Sequence, residues 1–117
     1  MAADANTGLA AIDICREDFQ IVIGILKTYL PDASVYAFGS RARHCARRYS
    51  DLDLAVIAAQ PLSLDQLAAI REAFTDSDLP WRVDVVDWLS ASESFRAMVE
   101  SDLVLIHGQN EYRTAPG

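Results

Sequence analysis

The sequence predicts an α/β domain, and three observations carry that reading. Short runs of β-branched and aromatic residues alternate with segments of helical periodicity, which is the pattern of an α/β chain. A length of 117 residues leaves room for one domain and little more. About half of the residues are apolar and glycine and proline are few, so a core can form and no segment has a disordered composition.

From Ala11 to Leu30 the residues Ile12, Cys15, Phe19, Val22, Leu26 and Tyr29 recur at spacings of three and four. This is one helical face, ended by Pro31. A second stripe, Ile14, Ile21 and Ile25, widens it, and suits either burial on two sides or a partner surface. Ser34 to Phe38 (SVYAF) reads as a strand that breaks at Gly39-Ser40, and Arg41 to Arg48 as a short helix or helical turn. Leu52 to Ala58 is a second strand. A helix from about Leu64 to Thr75 follows, with Leu64, Leu67, Ile70 and Phe74 on one face and Ser63 with Gln66 at capping-box spacing. Pro80 opens a third strand, Trp81 to Trp88. Ser90 or Ser92 caps a helix through Glu100, and Leu103 to His107 is a last strand. The expected organisation is a flexible arm over 1–10, one folded domain over 11–107 and a frayed tail over 108–117.

The formal net charge is −7, and Lys27 is the single lysine among ten basic residues. Such a chain lacks the basic face of a free-standing nucleic-acid binder; it favours a small substrate or a protein partner, a basic one among them. The N-terminus has no signal-peptide pattern, and no stretch reaches the roughly 20 apolar residues of a membrane span. Cys15 and Cys45 form no CxxC pair and read as small apolar residues on helices. A soluble protein of the reducing cytoplasm is the expectation.

The chemistry begins at Asp51-Leu52-Asp53. Aspartates two apart on a strand point to one side with Cα atoms roughly 6.5–7 Å apart, while Leu52 and Leu54 point to the core. Two such carboxylates repel each other unless one is protonated or a cation intervenes, and carboxylate oxygen is the ligand Mg²⁺ prefers. Gly39-Ser40 stands where a strand gives way to a helical turn. Glycine allows close approach of a ligand to the backbone, and the turn's first N–H groups suit a phosphate; a plain Ser40 N-cap is the bland alternative. Asp84 lies between Val83 and Val85 in the third strand, where a charge is costly away from a cation or a site. Asp87, on the opposite face by alternation, is expected to be solvated or to cap a helix. Arg41, Arg43, Arg47 and Arg48 concentrate four of the ten basic residues within eight positions. Arg41 and Arg43 stand nearest the phosphate position, with Arg47 and Arg48 more exposed. His44 and His107 are the only histidines, and neither pairs with a nucleophile as a hydrolase triad requires.

Taken in order, Gly39-Ser40, ten residues, Asp51-x-Asp53 and then Asp84 form a phosphate cradle with three carboxylates for one or two metal ions. The stretch FGSRARHCARRYSDLDLAV resembles the signature of the polymerase-β-type nucleotidyltransferase superfamily. In particular it resembles the minimal nucleotidyltransferases that are antitoxins of HEPN-domain ribonuclease toxins, from about Ile14 to His107. The resemblance implies a small mixed β-sheet with flanking helices. It implies ATP as substrate, one or two Mg²⁺ ions on Asp51, Asp53 and Asp84, and triphosphate held by Gly39 and Ser40 with Arg41 and Arg43. It further implies transfer of AMP to a tyrosine of a HEPN-domain toxin partner. Where the family often has Arg-Gly-Thr, this chain has Arg43-His44-Cys45, and a bulky His44 is expected to narrow the nucleotide pocket. Two alternatives stay open: a non-catalytic antitoxin that masks its toxin by stoichiometric binding, and a nucleotidyltransferase acting on a small molecule. A kinase fits less well, since neither standard glycine-rich loop is present.

Overall fold

The computed structural model describes residues 12–108; the expected arm over 1–10, Ala11 and nearly all of the expected tail lie outside them. The elements run α1 (Arg16–Tyr29), β1 (Ser34–Phe38), β2 (Leu52–Ile57), α2 (Leu64–Thr75), β3 (Val83–Asp87), α3 (Glu93–Val99) and β4 (Val104–His107), with 3-10 turns at Trp88–Ser90 and Glu100–Asp102. The four strands form one sheet in the order β3-β2-β1-β4. β1 is antiparallel to both β2 and β4, while β2 and β3 are parallel. Parallel neighbours need a crossover, and α2 supplies it. The sheet is therefore mixed, as expected.

Alternation along the strands sorts the side chains to two faces. Val35, Ala37, Leu52, Leu54, Val56 and Val85 meet Val22 and Leu26 of α1 and Ile70 and Phe74 of α2 in the main core. On the opposite face Phe38, Ala55 and Trp88 pack with Val99 of α3, and the Phe38 and Phe95 rings meet edge to face at 5.6 Å. β1 is buried along its whole length because both layers cover it.

Three local expectations need correction. Helix α1 starts at Arg16, not Ala11. Ile12 is nonetheless almost fully buried, because Asp13 N–H donates to the Arg41 carbonyl at 2.8 Å and anchors the segment before α1 to the body of the domain. Cys15 is the N-cap of α1, and both cysteines are exposed rather than packed on helices. Leu64 is 85% exposed: it is the first residue of α2, one turn before the helix meets the sheet, and Leu62 packs in its place. Of the two forms expected for Arg41 to Arg48, the turn is found, at residues 40–44, and no helix. The capping box of Ser63 and Gln66 is present, and Ser92 rather than Ser90 caps α3. The second stripe of α1 is half-buried, with Ile14 and Ile25 packed on the core.

Of the two roles expected for Asp87, solvated or capping, the first fails, since it is 6% exposed; it stands at the N-cap position of the 3-10 turn Trp88–Ser90, without a side-chain bond to that turn's backbone. One carboxylate oxygen accepts from Leu62 N–H at 2.9 Å and from Ser90 Oγ at 2.8 Å. It thereby joins the loop before α2 to the turn after β3. Truncation strands a buried donor, which costs about 2 kcal/mol. Asp87→Ala should lower the unfolding free energy in urea by about that amount. Asp84→Ala, on the exposed face of the same strand, should not lower it.

Candidate active site

β1 ends at Phe38, and Gly39 turns the chain with φ +80°, a conformation that favours glycine. Space imposes the same choice, because a Cβ on Gly39 would collide with the Asp53 carboxylate. After it, Arg43 N–H donates to the Gly39 carbonyl at 3.1 Å and Cys45 N–H to the Ser40 carbonyl at 3.0 Å. This turn opens as a helix does, with its first N–H groups left without acceptors inside the turn, so the Gly39-Ser40 junction suits an anion.

The neighbouring strands bring the carboxylates alongside. Phe38 is opposite Asp53 across the β1–β2 pair, and Asp53 is opposite Asp84 across the β2–β3 pair. Phe38, Asp53 and Asp84 therefore lie in a row across three strands, each step roughly 4.8 Å, and Gly39, directly after Phe38, stands against the Asp53 carboxylate. Asp51 is exposed just ahead of β2, two residues from Asp53 and on its side by alternation. Leu52 and Leu54 are fully buried on the other face, which fixes the register: a slip of one residue would drive the aspartates into the core.

The electrostatics follow from this placement. Half-burial, first, and then the charges of Asp84 and Asp51 push the Asp53 carboxyl up from 3.8 to about 6, with Arg43 opposing them. Among the described residues no three acidic, histidine or cysteine side chains already converge as metal ligands. Like charges have no reason to close further without a cation. The donor set is all oxygen, anionic and half open to solvent, which suits a hard divalent ion such as Mg²⁺.

The two arginines assigned to phosphate have different fates. Arg43 is at the site: its Nη1 meets Asp102 Oδ2 at 2.9 Å, a contact that holds its guanidinium ionised above the usual arginine range, and its charge reaches Asp53. Arg41 is only 5% exposed. Its Nε donates to the Ser50 carbonyl at 3.0 Å, Nη1 to that of Asp13 at 2.8 Å and Nη2 to that of Arg48 at 3.3 Å. Its face lies over the Trp81 ring at 4.3 Å. With these partners the Arg41 guanidinium braces the loop that carries Asp51. Arg47 and Arg48 are exposed, as expected. His44 sits in the left-handed region at φ 58°, where glycine is the unstrained choice; its side chain is exposed.

Sequence reasoning missed Asp102, 59 positions from Arg43, in a turn with no motif of its own. His107, expected only to end a strand, has its Nε2 2.9 Å from the Leu30 carbonyl at the end of α1.

A carboxyl whose folded value lies above its ordinary one binds more protons folded than unfolded between the two, so stability falls as pH rises through that window. In metal-free protein the melting temperature of Asp53→Asn should pull above that of wild type as pH rises from about 4 to beyond about 6. Millimolar Mg²⁺ above that window should close the gap by raising wild type alone. Melting curves across pH, with and without Mg²⁺, check both.

Residues 20–112 match the polymerase beta nucleotidyltransferase family. The chain is 47% identical over 100 residues to the probable protein adenylyltransferase MntA of Haemophilus influenzae, covering 86% of this chain and 88% of that one. Among solved structures it is similar to a toxin–antitoxin complex with AMP-PNP, at TM-score 0.68 and 28% identity over 80% of this chain and 76% of that one. It is also similar to the complex of a tri-AMPylated Shewanella oneidensis HEPN toxin with its MNT antitoxin, at TM-score 0.59 and 26% identity over 84% and 76%. The chain belongs to the polymerase beta nucleotidyltransferase family, as an MntA-like nucleotidyltransferase.

Proposed function

We propose that this chain is a cytoplasmic antitoxin that transfers AMP from ATP to a tyrosine hydroxyl of a HEPN-type ribonuclease toxin and so inactivates it. The observation that carries this reading is the pairing of Asp53 with Asp84 across β2 and β3, with Asp51 beside them and Gly39 against Asp53. Relatives support the protein substrate: one is described as a protein adenylyltransferase, and another is seen with a tri-AMPylated toxin.

In this reading the turn at Gly39 and Ser40 receives the outer phosphates through backbone N–H groups and the serine hydroxyl. Arg43 leaves Asp102 to meet the triphosphate, since phosphate offers a guanidinium more charge than one carboxylate does. Asp51, Asp53 and Asp84 would hold one or two Mg²⁺ ions. When bound, these ions neutralise the phosphates and lower the acceptor hydroxyl's pKa. The acceptor oxygen attacks the α-phosphorus in line and pyrophosphate departs. A tyrosine suits this chemistry because its phenol ionises near pH 10, far more readily than an aliphatic alcohol. Positioning and electrostatics supply nearly all of the acceleration.

The test is ATP labelled on the α-phosphate, given with Mg²⁺ and the HEPN-type partner to wild type and to Asp51→Ala/Asp53→Ala. Label should appear on the partner with wild type and fall at least about a hundredfold in the double variant, as loss of a transition-state contact does. An unlabelled partner that is nevertheless silenced would mean neutralisation by stoichiometric binding. Label on an added small molecule in the partner's absence would favour the small-molecule reading.

A further inference from the structure

A tyrosine hydroxyl is the acceptor in the reaction proposed above, and this chain exposes tyrosines of its own. Among the described residues Tyr36 is buried, whereas Tyr29 is 44% and Tyr49 64% exposed. Tyr29 ends α1 and borders a small cavity with Pro31, Ala58 and Leu62. Ala58 follows the last residue of β2, whereas Asp53 is near its first, so Tyr29 stands at the end of the sheet away from the carboxylates. Tyr49 stands at the other end, two positions before Asp51.

The backbone around Tyr49 is fixed. Ser50 N–H donates to the Arg47 carbonyl at 3.1 Å, which closes a β-turn with Arg48 and Tyr49 at its tip. Arg47 N–H in turn donates to Ser50 Oγ at 2.8 Å. The buried Arg41 guanidinium holds the carbonyls on either side of Tyr49, that of Arg48 at 3.3 Å and that of Ser50 at 3.0 Å. A rigid turn therefore offers the phenol to solvent. The Arg48 guanidinium lies over the Tyr49 ring, 5.4 Å from its centre. A cation there favours the negative charge that a phenol oxygen develops as it attacks phosphorus, and can then pair with the phosphodiester that forms.

Resting on the adenylyl transfer proposed above, we infer that Tyr49 is itself an acceptor, adenylylated by the site of a second copy of this chain when no toxin partner occupies that site. The Tyr49 phenol oxygen forms a bond to the α-phosphorus of ATP. The bond from that phosphorus to the bridging oxygen breaks, pyrophosphate leaves with the electron pair, and the phenol proton passes to solvent. Transfer runs between copies because the bonds from Arg41 keep the turn from folding back over its own carboxylates. Two chains of formal net charge −7 repel each other, so this step is slower than transfer to a partner that binds.

The test incubates the full chain alone with Mg²⁺ and ATP labelled on the α-phosphate, and locates the label by fragmentation. Wild type should carry an adenylate on Tyr49, Tyr49→Phe should lose that label, and Tyr29→Phe should keep it. Tyr49→Phe should still label the HEPN-type partner at the wild-type rate, which reports an intact fold and site. Mixing two variants decides the route. Asp53→Asn, which lacks one metal-binding carboxylate, should stay unlabelled alone and gain label on Tyr49 when Tyr49→Phe is added. A labelled partner with no label on Tyr49 overturns the inference and leaves the adenylyltransferase reading standing. So does label on Tyr49 of wild type with none on Asp53→Asn in the mixture, since transfer then stays within one copy. No AMP on either the partner or this chain would take the adenylyltransferase reading down first and this one with it.

Discussion

The Arg41 guanidinium is the interaction on which the arrangement of the site depends. It reaches three loops at once: the segment before α1 through Asp13, the approach to β2 through Arg48 and Ser50, and the approach to β3 through Trp81. Asp13 returns the contact, its N–H bonding the Arg41 carbonyl. A planar, permanently charged group with donors in a fixed fork can serve three carbonyls and an aromatic face together. A lysine ammonium could not. Burial makes these bonds worth more than at the surface and their loss more costly. The turn that begins at Gly39 and the strand that begins at Leu52 are thus held in one geometry by a single side chain.

On that frame the sheet sets the chemistry. Adjacent strands align Phe38, Asp53 and Asp84, and Gly39 follows Phe38 against Asp53, so the phosphate junction, the charge cluster and the edge strand fall in sequence. The core face of β2 prevents slippage, because Leu52 and Leu54 leave no alternative register. The repulsion stored among the carboxylates is the counterpart of this rigidity. Half-burial first, and then this repulsion, raise Asp53 to about 6, and a divalent cation is the natural resolution. Arg43 tempers the same field while resting on Asp102, a surface pair weak enough to be exchanged for phosphate.

What could be read from the sequence was local. The alternation in LDLAVI exposes which aspartates share a face, and the break at Gly39-Ser40 marks a turn that only glycine fits. Those features set the strands and the carboxylate row. Partners distant in sequence were out of reach. Arg41 reads as a phosphate ligand beside a glycine turn, and nothing nearby reveals the carbonyls 7, 9 and 28 positions away that its guanidinium meets. Asp87 looks solvated because strand ends often are, yet the loop before α2 folds over it. Ile12 fits the helical period of α1 by coincidence; its burial comes from the Asp13–Arg41 contact and not from a helix. Asp102 carries no pattern at all, and only the packing of the chain places it beside Arg43.

The most direct test of this account is a crystal structure with Mn²⁺ and a non-hydrolysable ATP analogue, the metal located by its anomalous scattering. The account predicts metal bound between Asp51, Asp53 and Asp84, outer phosphates on the Gly39-Ser40 turn, Arg43 released from Asp102, and Arg41 unmoved on Trp81. Metal bound without Asp84, or phosphates held by Arg41, would contradict it.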